Sequence, residues 1–143
     1  MRDAVHTPFE EFALGQRATL DWVVIRDEIA RFAQLSGDHN PLHVDPEFAR
    51  ARGFPDIVAH GYLLGAKVSA LVGMQMPGRD CLILETIMAY PRAIHPGDTI
   101  RIDGEIDLLS PEQEVLRVRI RAYRAEPGRD VLVARGSVLC RSR

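Results

Sequence analysis

The chain has little of what marks specialised protein classes. Among its 143 residues there are only two cysteines, Cys81 and Cys140, and no Cys-x-x-Cys pair, so we expect reduced core thiols rather than a disulfide framework. The net charge of −2 gives no reason to expect a nucleic-acid partner. The longest mostly apolar stretch, residues 62–76, is too short and too interrupted to span a bilayer, and the start lacks a signal-peptide core. A cytoplasmic protein with no membrane partner is therefore expected.

What is present is an ordinary globular composition, with 46% hydrophobic and 27% charged residues, which predicts one domain over residues 1–143. The second half alternates apolar and polar residues, which is typical of strands with one wet face, and turn-like connections there predict antiparallel neighbours. The first half favours a strand followed by short helices. The predicted strands cover residues 18–25, 82–93, 100–108, 116–123 and 131–140, and the predicted short helices are residues 27–35 and one opening at Asp45-Pro46.

Residues 61–74 form a different kind of element, because only Lys67 and Ser69 are polar there. A helix that is apolar nearly all round is a buried helix. In a small domain such a helix needs cover on most sides, and the predicted strands can provide it. The sequence therefore predicts an α+β fold in which one buried helix is wrapped by a curved antiparallel sheet of about five strands.

The densest polar cluster is residues 35–45, Leu-Ser-Gly-Asp-His-Asn-Pro-Leu-His-Val-Asp. Pro41 prevents a continuous helix and biases Asn40 toward an extended conformation, so we expect a shaped loop that turns Asp38 and His43 toward one point. A carboxylate and an imidazole that face one water can exchange its protons with a substrate. The alternative, in which the polar side chains only satisfy turn amides, stays open at this point.

A second cluster, residues 57–63, lies where the apolar helix is predicted to begin. A helix N-terminus presents free N–H groups, and Gly61 allows a ligand to approach the backbone. The Gly61 amide is therefore a candidate donor to a thioester oxygen as that oxygen becomes enolate-like. A glycine needed only for tight packing is the alternative.

The segment from Phe32 to Ala49 closely resembles the hydratase motif of MaoC-like dehydratases and (R)-specific enoyl-CoA hydratases. Residues 57–64, Ile-Val-Ala-His-Gly-Tyr-Leu-Leu, resemble the second signature of that family, and residues 94–99, Ile-His-Pro-Gly-Asp-Thr, resemble a third. This resemblance covers nearly the whole chain. It implies a hot-dog fold, usually dimeric, and reversible hydration of trans-2-enoyl thioesters to (R)-3-hydroxyacyl thioesters.

Carried over by position, the resemblance assigns Asp38 and His43 to the catalytic pair and Gly61 to the oxyanion donor. It places Ser69 and His60 at or near the substrate, and it gives Asn40 the role of shaping the loop. Ala59 is an extra residue before His60 relative to the commonest spacing of the family. The resemblance implies no cofactor of the protein's own, since the substrate carries coenzyme A or phosphopantetheine, and it implies a homodimer.

Three alternatives compete with this interpretation. A metal site could be drawn from His39, His43, Asp45 and His60, but Pro41 breaks the regular helical face that such a spacing needs. A thioesterase on the same fold is a second alternative, and a non-catalytic protein that binds acyl thioesters is a third. The basic residues that could contact the substrate's phosphates are Arg52, Lys67 and Arg92.

Overall fold

The computed structural model describes residues 2–142, which form four α-helices, five strands and two short 3-10 helices (Phe9–Glu11 and Pro111–Gln113). In chain order the α-helices and strands are β1 (Arg17–Val23), α1 (Arg26–Ser36), α2 (Pro41–Val44), α3 (Pro46–Ala51), α4 (Gly61–Met74), β2 (Cys81–Ala89), β3 (Thr99–Ser110), β4 (Val115–Glu126) and β5 (Arg129–Ser142). Within the described part of the chain, no helix is long and apolar enough to cross a membrane.

The five strands form one antiparallel sheet in the order β1-β3-β4-β5-β2. The short connections place β3, β4 and β5 side by side, as their sequences predict. β2 ends at Ala89 rather than at the predicted Ala93, because Pro91 lacks the N–H that a strand ladder needs. β2 is therefore the last strand at one edge of the sheet, opposite to β1.

α4 has the predicted bounds and packs on the concave face of the sheet. Its buried side chains, which include Leu64, Val68 and Leu71, join the inward-facing residues of the strands in one core. The helix approaches the centre of the sheet closely at Gly104, where an added Cβ would lie 3.0 Å from Leu71 Cδ2 and 2.9 Å from Val118 Cγ1. A larger residue there would force the helix away from the sheet. The predicted fold class is confirmed.

The side chains of α4 are less completely buried than the apolar composition of this helix indicates. Tyr62 is 81% exposed and Ser69 is also exposed, so one side of the helix faces outward. The neighbouring edge strand β2 exposes Leu82, Leu84 and Ile87. A single five-stranded sheet covers only the side of the helix that faces it, so this side of α4 stays exposed in the single chain.

The short helices α1, α2 and α3 lie between β1 and α4 and carry the polar motif. The expectation of a loop between Asn40 and Asp45 is wrong, because residues 41–44 form one turn of helix. Pro41 is the reason for the difference, since proline is well suited to the first helical position even though it interrupts a longer helix. The Asn40 side chain caps this turn by accepting a hydrogen bond from the Leu42 N–H at 3.0 Å.

Candidate active site

The loop from Ser36 to Asn40 holds Asp38 through local hydrogen bonds. The Asp38 N–H donates to Ser36 Oγ at 3.1 Å, and the Asn40 N–H donates to Asp38 Oδ1 at 3.1 Å. Because Asn40 also caps α2, one residue fixes both the carboxylate and the helix that follows it. The loop-shaping role expected of Asn40 stays a prediction.

His43 lies on α2 with its ring oriented by a backbone carbonyl. Its Nδ1 is 2.6 Å from the Val58 carbonyl oxygen, which can only accept, so Nδ1 carries the proton. Nε2, the other ring nitrogen, faces Asp38, whose Oδ2 is 3.8 Å away, and it carries a lone pair when the ring is neutral. The His43 side chain is only 16% exposed, whereas that of Asp38 is 51% exposed. The pair thus opens toward solvent on the side of the carboxylate.

His60 is buried behind this pair. Its ring stacks on the His43 ring with 3.8 Å between centroids and 27° between planes, and its Nε2–H donates to the Asp38 backbone carbonyl at 3.0 Å. Burial lowers the pKa of His60 below its usual 6.5, although the hydrogen bond to Asp38 opposes this, and the nearby His43 lowers it further. We therefore place His60 as a neutral spacer that positions the pair, rather than as the substrate contact expected from the sequence.

A cavity of about 310 Å³ lies beside His43, and we name it the catalytic cavity. Gly61, the first residue of α4, lines it, and its N–H has no carbonyl one turn earlier in the helix to donate to. The space beside the Gly61 α-carbon is not empty, because an added Cβ would lie 3.2 Å from Tyr90 Cε2. The cavity is lined by His43, Val58, Ala59, Gly61, Leu64, Tyr90, Arg92, Ala93, Ile94 and Val133.

Other residues singled out in the sequence are not all brought to this cavity. Ser69 lies exposed on α4 and does not line this cavity, so its role stays a prediction. Lys67 is held by Glu28 at 2.5 Å, and the Arg52 guanidinium stacks over an aromatic ring of α3 at 4.2 Å. Arg92 alone of the three candidate phosphate contacts lines the catalytic cavity.

A group of potential metal ligands differs from the one drawn from the sequence. Asp38, His43 and His60 each bring one ligand atom within 4.8 Å of the others. His43 Nδ1 and His60 Nε2 are already engaged by the backbone carbonyls of Val58 and Asp38, so each ring has one nitrogen left. Asp45 instead caps α3 by accepting hydrogen bonds from two backbone N–H groups. Independence from metal stays a prediction.

Two features of the site have no signal in the sequence. The Val58 carbonyl selects the His43 tautomer, but any residue at position 58 would supply a carbonyl. Tyr90 forms one wall of the cavity, and the only hint is its place before Pro91, where a strand must end. Neither contact follows from residue spacing, because each joins segments far apart in the chain.

Comparison with known proteins agrees with the geometry. A family model described as the MaoC like domain matches residues 6–109. An (R)-specific enoyl-CoA hydratase of Aeromonas caviae is 32% identical over 80% of this chain and 85% of its own length, and one of Rhodospirillum rubrum is 31% identical over 78% and 77%. The solved (R)-hydratase of A. caviae, described as involved in PHA biosynthesis, superposes with a TM-score of 0.87 at 29% identity, over 94% of this chain and 99% of the other.

The matched range contains the polar motif, α4 and the first three strands, while β4 and β5 lie beyond it and complete the same sheet. Because the family model matches most of the chain and the fold agrees with that of the solved (R)-hydratase, this chain belongs to the MaoC-like domain family.

Proposed function

We propose that this protein reversibly hydrates trans-2-enoyl thioesters to (R)-3-hydroxyacyl thioesters, with Asp38 and His43 as its acid–base pair. The observation that carries the proposal is the orientation of His43. Its Nδ1–H is held by Val58, so the Nε2 lone pair points toward the Asp38 carboxylate across a gap of 3.8 Å. That gap is wider than a direct hydrogen bond and leaves both groups able to contact one water.

In this arrangement the water supplies both parts of the addition. Its oxygen attacks C3 of the enoyl group while one of its protons passes to the pair of Asp38 and His43. The pair then delivers that proton to C2, so the enzyme ends in the protonation state in which it began. Both groups contact the substrate from one side, which favours delivery of hydroxyl and proton to the same face. Dehydration follows the same path in reverse.

Negative charge develops on the thioester oxygen during the addition. The Gly61 N–H at the start of α4 is the proposed donor, because it lines the same cavity as His43 and lies at the positive end of the helix dipole. Loss of one such fixed donor typically raises a barrier by about 3 kcal/mol. A backbone donor cannot be removed by a side-chain substitution, so this role is tested by comparing the Kd of an acyl-CoA with that of its thioether analogue, which lacks the carbonyl oxygen.

We also infer how the substrate is carried and how the protein assembles. Arg92 lines the catalytic cavity and has no partner within residues 2–142, so it is our candidate for the phosphates of coenzyme A or of a carrier-bound phosphopantetheine. The exposed apolar side chains of β2 favour a homodimer joined at this sheet edge. The unpaired thiols Cys81 and Cys140 suit a reducing compartment, and the cytoplasm is the one we propose.

The test is hydration of a short trans-2-enoyl-CoA in deuterated water, with the enoyl absorbance and the free thiol followed separately. We expect loss of the enoyl absorbance without thiol release, and an (R) product with deuterium and hydroxyl added to the same face. Thiol release would support a thioesterase instead. An (S) product would contradict the family's stereochemistry, and anti addition would contradict delivery from one side.

A further inference from the structure

Residues 57–59, which lie between α3 and α4, are hydrogen-bonded on both sides, and we name them the supporting segment. On one side, the segment is bound to α2 through both backbone groups of Val58. The Val58 carbonyl oxygen is 2.6 Å from His43 Nδ1, and the Val58 N–H donates to the Leu42 carbonyl at 2.8 Å. A displacement of the supporting segment would therefore displace the acceptor that fixes the tautomer of His43.

The opposite side of the supporting segment is bound to residues 94 and 95. The Ala59 N–H donates to the Ile94 carbonyl at 2.9 Å, and the Ile57 carbonyl oxygen is 2.9 Å from His95 Nδ1. Because a carbonyl oxygen can only accept, Nδ1 of His95 carries the proton. Within residues 2–142 no other group donates to the Ile57 carbonyl, and Ile57 is only 3% exposed. Loss of the His95 donor would leave this buried carbonyl unpaired, which disfavours the present position of the segment.

His95 is itself fixed to the sheet by the turn that follows it. Its backbone N–H donates to Asp98 Oδ2 at 2.8 Å, and the Asp98 N–H donates back to the His95 carbonyl at 3.1 Å. The turn is also bound to Val24, the residue after β1, through the Gly97 N–H at 2.8 Å and the Asp98 carbonyl at 2.9 Å. The side chain of His95 therefore links a position set by the sheet to the supporting segment.

His95 does not line the catalytic cavity, whereas its neighbours Val58, Ala59 and Ile94 do. A contribution of His95 to the reaction must therefore act through the supporting segment. Misplacement of a reacting group by about 1 Å can cost about a hundredfold in rate. Such a loss falls on kcat rather than on KM when binding of the substrate is unchanged.

We propose that His95 is a positioning residue, which holds the supporting segment where the Val58 carbonyl selects the Nδ1–H tautomer of His43. The effect on the reaction rests on the proposed hydratase function, whereas the effect on the tautomer does not. Without the His95 donor, the supporting segment shifts and the His43 ring can place its proton on Nε2. In that tautomer Nε2 has no lone pair to accept a proton from the water, so the acid–base pair is impaired.

Three substitutions separate the hydrogen bond of His95 from the bulk of its side chain. His95→Asn keeps the donor, because the amide nitrogen of asparagine, like Nδ1 of histidine, is bonded directly to Cγ. His95→Gln is also polar, but its amide nitrogen lies one bond further out and corresponds to Nε2. His95→Leu removes the donor. The control is His6→Leu, which removes a histidine hydrogen bond of 2.7 Å to Asp80 outside the catalytic cavity.

The tautomer of His43 is measured by nitrogen NMR of protein labelled in its histidine rings, at a pH where the rings are neutral. Protonated and unprotonated ring nitrogens have well-separated chemical shifts. The chain has five histidines, so a His43→Gln sample is needed to identify the signals of His43. The values of kcat and KM for a short trans-2-enoyl-CoA are measured on the same preparations, and melting temperatures show which variants are folded.

We expect the wild type and His95→Asn to carry the His43 proton on Nδ1, and His95→Leu and His95→Gln to shift it in part to Nε2. In the leucine and glutamine variants, kcat should fall by about tenfold to a hundredfold while KM changes by less than about twofold. His95→Asn should keep most of the wild-type kcat, and His6→Leu should leave the tautomer and kcat unchanged. If His95→Leu fails to fold, the glutamine variant decides the question.

An unchanged His43 tautomer in the folded leucine and glutamine variants would overturn the proposal, whatever their activity. An equal loss in His95→Asn would also overturn it, because the donor at the position of Nδ1 would then not be what matters. The same changes in His6→Leu would overturn it by showing a global effect. A tautomer shift in the variants of a protein whose wild type hydrates no enoyl thioester would instead remove the proposed function and support the positioning role.

Discussion

The substitution Asp38→Asn separates a catalytic role of this carboxylate from a structural one. The change keeps the size of the side chain and its Oδ1, which can still accept the Asn40 N–H at about the 3.1 Å seen in the wild type. It removes the negative charge that faces His43 and the ability to take up a proton. Activity and stability should therefore respond very differently.

The expected loss of activity is large. A positioned acid or base contributes about 10²- to 10⁴-fold to the rate, and each factor of ten corresponds to about 1.4 kcal/mol of barrier. The expected loss of stability is small. Asp38 Oδ2 and His43 Nε2 are 3.8 Å apart and the carboxylate is half-exposed, so their electrostatic interaction contributes at most about 1 kcal/mol before solvent screening is counted. We expect kcat/KM to fall about a thousandfold while the free energy of unfolding changes by less than about 1 kcal/mol.

The assay combines enoyl-CoA hydration with urea denaturation of the same preparations. Asp45→Asn is the matched control, because Asp45 serves as the N-cap of α3 and asparagine caps a helix about as well as aspartate. This control should keep both activity and stability. A loss of less than about tenfold in Asp38→Asn, or an equal loss in the control, would refute the assignment of Asp38 as a catalytic group.

The remaining predictions concern assembly, metal and pH. Light scattering should give twice the protomer mass of 16.0 kDa at micromolar concentration, and Ile87→Lys on the exposed edge strand should give single protomers; a wild-type mass of 16.0 kDa would contradict the dimer. Activity should survive exhaustive chelation, whereas loss that zinc restores would revive the metal alternative. The pKa of His60 is lower in the folded protein than in the unfolded chain, so proton binding to this residue favours unfolding. The contribution of neutral His60 to stability is therefore fully present above the usual pKa of 6.5, and it is lost as the pH falls through the lowered pKa. His60→Gln should therefore flatten the decline of Tm below about pH 6.5, and an equally steep decline would disprove this origin.

The elements with a strong periodic pattern could be predicted from the sequence. α4 begins at Gly61 and ends at Met74 as its apolar run indicates, and the alternating segments form β3, β4 and β5. Because the turns between these strands are short, antiparallel pairing of neighbouring strands is the expected arrangement. These features are local, because the period and the turn residues are written along consecutive positions.

The sequence predicts local structure less well where one residue type, such as proline, suits two different structural positions. The sequence pattern predicts a break at Pro41, but in the structure Pro41 opens the one-turn helix α2 with Asn40 as its cap. A proline forbids the interior of a helix and favours its first position, so its effect depends on which residues follow. The neighbouring fold, and not the sequence, decides between these outcomes.

For the acid–base pair too, the sequence indicates the candidate residues and the fold decides their arrangement. The residue types and their spacing single out Asp38 and His43 as candidates, since a carboxylate and an imidazole around one proline-bent segment suit acid–base chemistry. Which ring nitrogen faces the carboxylate depends on the Val58 carbonyl, which lies 15 residues away from His43 in the chain. Tertiary packing also turns His60 into a stacked spacer instead of a ligand for substrate.

The sequence by itself determined the fold class, the bounds of α4 and the residue types available for chemistry, because hydrophobic periodicity and side-chain chemistry are local properties. Only the tertiary structure decided the tautomer of His43, the exposed side of α4 and the place of Tyr90 in the wall of the catalytic cavity. Tyr90 stands at the end of an edge strand and contacts Gly61 and Gly65 across the fold. Such contacts depend on how close a strand comes to a helix, and that distance is set by the packing of the whole core.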